Sequence, residues 1–177
     1  MRLKLKRTPG IYLVGFMASG KSTVGRMYAD EIGWRFADLD DDIESAEKTS
    51  ISDLFSHRGE EAFRCIEGEA LERRVQSIRR GTPTVLALGG GTFTREDNVQ
   101  LVTDHGITVW IDTSFDVVSR RVSMSNHRPL ARDPERFAAL YEARRSSYSK
   151  AEYRVELKVD DSREALRQLI ALNLLDD

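Results

Sequence analysis

The chain has 177 residues, enough for one compact domain with a sizeable core and too few for two full ones. Charged residues make up 32% and hydrophobic types 40%, the balance of an ordinary globular domain rather than of a disordered chain. The formal net charge of -2 leaves no global positive field, so nucleic acid is not expected as a partner. The basic start, MRLKLKRTPG, is followed by the apolar run IYLVGFMA, which is too short to span a membrane and lacks a small-residue cleavage pattern. A cytoplasmic protein is expected. Ile11–Phe16 reads as a buried strand, followed by a glycine-rich turn and a helix from about Ser22 to Ile32. Arg35–Leu39 is a second, weaker strand, running into the acidic stretch Asp38–Asp42. Residues 58–80 carry helical periodicity, with Ala62, Phe63, Ile66, Ala70, Leu71, Val75 and Ile78 on one broad face. Cys65, the only cysteine, lies in this stretch; it excludes an internal disulfide and reads as a helix-packing residue. Thr84–Leu88 is a third strand, ended by Gly89-Gly90-Gly91. Thr94 with Asp97 reads as a capping pair for a helix near 95–104. Ile107–Asp112 is a fourth strand, and Ser114 is placed to cap the next helix. Val155–Asp160 is a fifth strand, and Asp161 or Ser162 caps a last helix running through Leu169 and Leu174.

Strands alternating with helices imply an α/β domain with a five-stranded parallel sheet and helices on both faces. Ligands in such folds gather beyond the carboxyl ends of the strands. That is where the conspicuous polar features fall. Gly15-Phe16-Met17-Ala18-Ser19-Gly20-Lys21-Ser22 fits G-x4-G-K-[ST] without a mismatch. The glycines let backbone N–H groups curl around phosphate oxygens, and Lys21 brings a cation to the β- and γ-phosphates. The Ser22 hydroxyl can ligate Mg²⁺, and the helix N-terminus adds its dipole. At ordinary residue frequencies a chain of this length shows the pattern by accident roughly once in 200 times. The preceding strand and following helix lower that further. Ala18, Ser19, Gly20, Lys21, Ser22 and Thr23 are therefore the expected ATP-binding residues. No N-K-x-D motif for reading guanine is present.

Further motifs follow at consistent distances: D-L-D-D-D-I-E at 38–44, G-E-E-A-F-R-C-I-E at 59–67, L-G-G-G at 88–91, R-P-L at 128–130 and R-R-S-S-Y at 144–148. In that order they resemble the shikimate kinase family over nearly the whole chain. The resemblance implies a phosphate-loop kinase fold similar to nucleoside monophosphate kinases. It implies one kinase domain over 1–177, with a substrate-binding helical segment at about 40–66 and a lid at about 122–134. ATP and shikimate are then the small-molecule partners, Mg²⁺ the cofactor, and a monomer the expected form. The residue matching Asp40 hydrogen-bonds the substrate hydroxyls and stands where a proton acceptor is needed, and the one matching Asp38 supports the Mg²⁺ shell. Asp112, at the end of a hydrophobic strand, is the alternative for that metal role. Arg64 and Arg144 are the expected carboxylate clamps, since a planar guanidinium can grip a carboxylate with two hydrogen bonds. Arg145 is the alternative to Arg144. Arg64 also sits at helical spacings from Glu60, Glu61 and Glu67, where ordinary surface pairs form. Gly89, Gly90 and Gly91 let the substrate approach backbone closely. Arg128 is implied to reach the ATP phosphates and to act in catalysis with Lys21 and Asp40. Arg121 is implied to lie against adenine. Asp42 reads as pointing to solvent, and so does His127 in the lid.

Two rival readings follow from the same loop. One is a kinase for another small hydroxylated substrate, such as gluconate, a nucleotide or adenylylsulfate. The other is a nucleotide-dependent switch with little turnover.

Overall fold

The computed structural model describes residues 10–124 and 133–175. Five strands, β1 (Gly10–Val14), β2 (Arg35–Asp38), β3 (Thr84–Ala87), β4 (Ile107–Thr113) and β5 (Tyr153–Leu157), form one sheet in the order 2-3-1-4-5. Every neighbouring pair is parallel. The helices are α1 (Lys21–Ile32), α2 (Leu39–Glu47), α3 (Ile51–Arg79), α4 (Glu96–His105), α5 (Phe115–Met124), α6 (Pro134–Tyr148) and α7 (Ser162–Ala171), with a 3₁₀ turn at Thr92–Thr94.

Strand side chains alternate between the two faces of a sheet, so a strand covered on both sides is apolar throughout. All five residues of β1 are buried. Tyr12 and Val14 join Leu86, Trp110, Phe63, Leu71 and Tyr148 in one core cluster. Ile11 and Leu13 join Val85, Val109, Ile111, Tyr28 and Leu169 in the other. Each fully buried aliphatic side chain contributes about 1.5–3 kcal/mol relative to exposure. The two clusters hold the sheet rigid, and its carboxyl edge becomes a fixed platform. Among the described residues no helix is long and apolar enough to cross a membrane.

The fold class and the five strands match the sequence expectation, and the differences have local causes. The helix expected at 58–80 is the second part of α3, which starts at Ile51 with Ser50 as its cap and breaks at Gly59 (φ 80°, ψ 169°). Thr94 does not cap α4: it lies in the 3₁₀ turn and its hydroxyl donates to the Gly91 carbonyl. β5 starts earlier than expected, because the alternating Tyr153, Val155 and Leu157 carry it and Val159 is exposed. Of the two candidate caps for α7, Asp161 takes the role, accepting from the Arg163 and Glu164 amides. Cys65 is exposed and is not a packing residue.

Candidate active site

The turn between β1 and α1 places the phosphate loop at the carboxyl edge of the sheet. Ala18 (φ 58°) and Gly20 (φ 96°) both adopt left-handed backbone, which turns the chain sharply into the N-terminus of α1. The Lys21 ammonium is curled onto the loop, donating to the carbonyls of Gly15 at 2.9 Å and Phe16 at 2.8 Å. The Ser22 hydroxyl donates to the carboxylate of Asp38. Across the loop, Arg121 donates to the Ala18 carbonyl at 2.9 Å and to Asp160 at 3.0 Å. This guanidinium holds the Asp160 carboxyl below the usual carboxylate range.

β2 ends on Asp38, whose side chain caps α2 by accepting from the Asp40 amide at 3.0 Å. The cap fixes the first turn of α2 and thereby the direction of Asp40. Burial pushes the Asp40 carboxyl up to about 6; the charges of Asp38, Glu67 and Glu44 add to the rise, and Lys21 opposes it. Asp40 faces Gly89 so closely that a Cβ there would stand 2.9 Å from the carboxylate oxygen.

Arg64 projects from α3 toward the same glycines. A Cβ on Gly91 would meet three atoms of its guanidinium at 2.8 Å or less, so only glycine lets the two approach. The guanidinium lies over the rings of Phe63 and Phe55 and donates to Glu67 at 2.7 Å. Glu67 is not the surface partner that its spacing suggests. It is 1% exposed, and its other oxygen accepts from the Thr92 hydroxyl at 2.6 Å. Sequence reasoning therefore missed Glu67 as the brace that aims Arg64 and ties it to the glycine turn. A surface pair of the expected kind is formed with Glu60, 3.6 Å from Arg64.

α6 lines the same cleft. Arg144 lies over the Phe16 ring and reaches Gly90, while the Tyr148 hydroxyl donates to the Gly90 carbonyl. Burial pushes the Tyr148 hydroxyl up to about 12, with Arg144 opposing. Arg145 turns the other way. It grips Asp112 with bonds of 2.6 and 3.0 Å and stacks on Trp110, whose ring Arg154 also covers. Arg154 donates to Asp112 as well, at 2.8 Å, so the Asp112 carboxylate is taken up by two guanidinium groups.

A single cleft of about 1250 Å³ gathers the phosphate loop, Asp38, Asp40, Arg64, the three glycines, Arg121 and Arg144. Such a volume exceeds that of a usual one-ligand pocket. Arg136, on the first turn of α6, also lines it and was not foreseen. Arg128 and His127, with most of the expected lid, lie outside the described residues. Asp42 does not point to solvent: it forms a two-pronged ion pair with Arg74, tying α2 to α3. Among the described residues no three His, Cys, Asp or Glu side chains are grouped to hold a metal. Ser22 and Asp38 instead form a pair of hard oxygen donors beside the phosphate loop, which fits Mg²⁺, an ion that keeps several waters and takes its other ligands from phosphates.

A family model described as Shikimate kinase matches residues 17–173. A shikimate kinase of Persephonella marina is 37% identical over 146 residues, 82% of this chain and 87% of the relative. One from Ruegeria pomeroyi is 37% identical over 163 residues, 90% of this chain and 80% of the relative. Among solved structures, the shikimate kinase of Acinetobacter baumannii in complex with shikimate superimposes with a TM-score of 0.85 at 30% identity, covering 94% of this chain and 93% of that one.

Proposed function

The chain belongs to the shikimate kinase family, and from that premise we propose how its cleft carries out the reaction. It is an ATP-dependent shikimate kinase, passing the γ-phosphoryl group of ATP to the 3-hydroxyl of shikimate. The bond from the γ-phosphorus to the β,γ-bridging oxygen breaks, and a bond to the substrate oxygen forms. The hydroxyl proton passes to Asp40.

The observation that carries this reading is the position of Asp40: partly buried, capped in place by Asp38, and facing the glycine turn inside the cleft that the phosphate loop opens into. A carboxyl group with its proton affinity raised toward neutrality is a better acceptor than an ordinary one and is still largely ionised at pH 7. Arg64, beside Gly91, and Arg144, beside Gly90, grip the shikimate carboxylate and fix which hydroxyl meets Asp40. Arg136 adds a third guanidinium in the same cleft. Lys21 exchanges its loop carbonyls for phosphate oxygens. Arg121 covers the adenine side, and Arg128, by family resemblance, meets phosphate charge. Mg²⁺, held through Ser22 and through water by Asp38, would supply positive charge to the β- and γ-phosphates. Phosphoryl transfer has a loose transition state, so alignment and charge stabilisation account for most of the catalysis. The enzyme is taken to act as a cytoplasmic monomer.

The test is ADP release in a coupled assay, with and without shikimate. Release should depend on shikimate and give shikimate 3-phosphate. Shikimate-independent release, or stimulation by gluconate instead, contradicts the reading.

A further inference from the structure

The phosphate loop is pinned to β4 at two points. A Cβ on Gly15 would stand 2.6 Å from the Ile111 carbonyl, so the loop starts in direct contact with that strand. At its far end the Ser19 carbonyl accepts from the Thr113 hydroxyl at 2.7 Å. Both residues are buried, Ser19 completely and Thr113 at 2% exposed, so water cannot replace this bond. Peptide bonds in the described chain are trans. In a trans peptide the N–H points opposite to the preceding C=O. Fixing the Ser19 carbonyl toward β4 therefore aims the Gly20 N–H away from β4, toward the cleft that Gly20 lines. Thr113 is also joined to the substrate side. Its carbonyl accepts from the Tyr141 hydroxyl at 2.8 Å, and that oxygen accepts from Arg145 at 3.0 Å, which is held by Asp112. Tyr141 and Arg145 lie on α6, the helix that carries Arg144.

We propose that Thr113 is a positioning residue of the nucleotide site, its hydroxyl fixing the Ser19–Gly20 peptide so that the Gly20 N–H is preset for a phosphate oxygen, with Tyr141 linking that setting to α6. The inference rests on ATP binding at this loop, so wild-type protein is titrated with MgATP first, by calorimetry; no binding there overturns the reading of the loop itself. Thr113→Val keeps the shape and removes the hydroxyl. It should weaken MgATP binding about tenfold, while shikimate binding to the nucleotide-free protein stays within about twofold. Thr113→Ser restores the donor and should return MgATP affinity to within about threefold of wild type. If Thr113→Val loses its native circular dichroism, Thr113→Ala, which adds no atoms, carries the same expectation. Unchanged MgATP affinity, an equal loss in the serine variant, or a parallel loss of shikimate affinity overturns the proposal.

Discussion

Asp40 combines two demands that pull against each other. A proton acceptor works best with its affinity raised, and the burial that raises it also penalises the ionised folded state. The free carboxyl titrates near 3.8 and the folded one near 6. Above about pH 6 both are ionised, and the fold carries the full penalty, on the order of 3 kcal/mol. As pH falls from about 6 toward 3.8 the folded carboxyl protonates first and the penalty shrinks, and it vanishes only well below 3.8. Asp40→Asn should therefore lower kcat about 10²–10⁴-fold and yet raise the melting temperature at pH 7–8, with most of the stability gain gone by about pH 4 and the rest below about pH 3. An inactive variant without that pH-dependent gain would separate a catalytic role from the proposed burial. Wild-type kcat/KM should likewise fall as pH drops through about 6. Asp42→Asn is the contrasting change: it weakens the pair with Arg74 that joins α2 to α3, so stability should fall while kcat stays near wild type. The two adjacent arginines divide in the same manner. Arg144→Lys should raise the shikimate KM about 10-fold or more, since an ammonium keeps the charge and loses the fork. Arg145→Lys should instead cost stability, on the order of 1–3 kcal/mol, through Asp112. Kinetics and thermal melts on the pair distinguish them. Phosphate-loop residues were legible because their chemistry is local in sequence. Glu67 with Thr92, Asp42 with Arg74 and Thr113 with Ser19 are pairs formed 25, 32 and 94 positions apart, so no local spacing announces them.

Elements were legible wherever one face is purely apolar. β1, β3 and β4 are buried on both sides and read as mainly apolar runs, with Val109-Trp110-Ile111 at the centre of β4. α6 escaped notice because its inward positions are shared between core and site: Phe137, Tyr141 and Tyr148 pack inward, while Arg136 and Arg144 line the cleft. Charged residues on the inward face break the periodic signal that marks a helix. The break in α3 was hidden for a different reason, since a single glycine inside a helical stretch is an ambiguous sign. Gly59 adopts a backbone conformation that side-chain-bearing residues hardly occupy, and nothing lies within 4 Å of where its Cβ would be. Gly59→Ala thus meets a backbone cost alone, about 1–3 kcal/mol. Phe55 lies before the break, with its ring 4.4 Å from that of Phe63 and 5.7 Å from the Arg64 guanidinium. Relaxing the break would pull that ring away, so the shikimate KM should rise a few-fold and the ATP KM should not. A lowered melting temperature with an unchanged shikimate KM would make the break structural only.

At the level of the whole molecule, the parallel sheet collects the catalytic parts at one edge, and ligand binding there stabilises everything beneath it. MgATP at about 100 times its Kd should stabilise the fold by about 2.7 kcal/mol, a rise of roughly 5–10 °C in melting temperature for a chain of this size. Lys21→Met should abolish most of that rise with its unliganded circular dichroism unchanged. A full shift in the variant would remove Lys21 from the phosphate site. The strand order 2-3-1-4-5 has a further consequence for synthesis on the ribosome. β1 pairs only with β3 and β4, and β2 pairs only with β3. Among the described strands, those that emerge before Thr84 are two that do not pair with each other. The nascent chain therefore cannot zip up its sheet as it lengthens: β1, fully apolar, must wait unpaired until Thr84–Ala87 leaves the exit tunnel. During that interval it is an exposed sticky segment, and holding by a chaperone until β3 arrives is the natural safeguard.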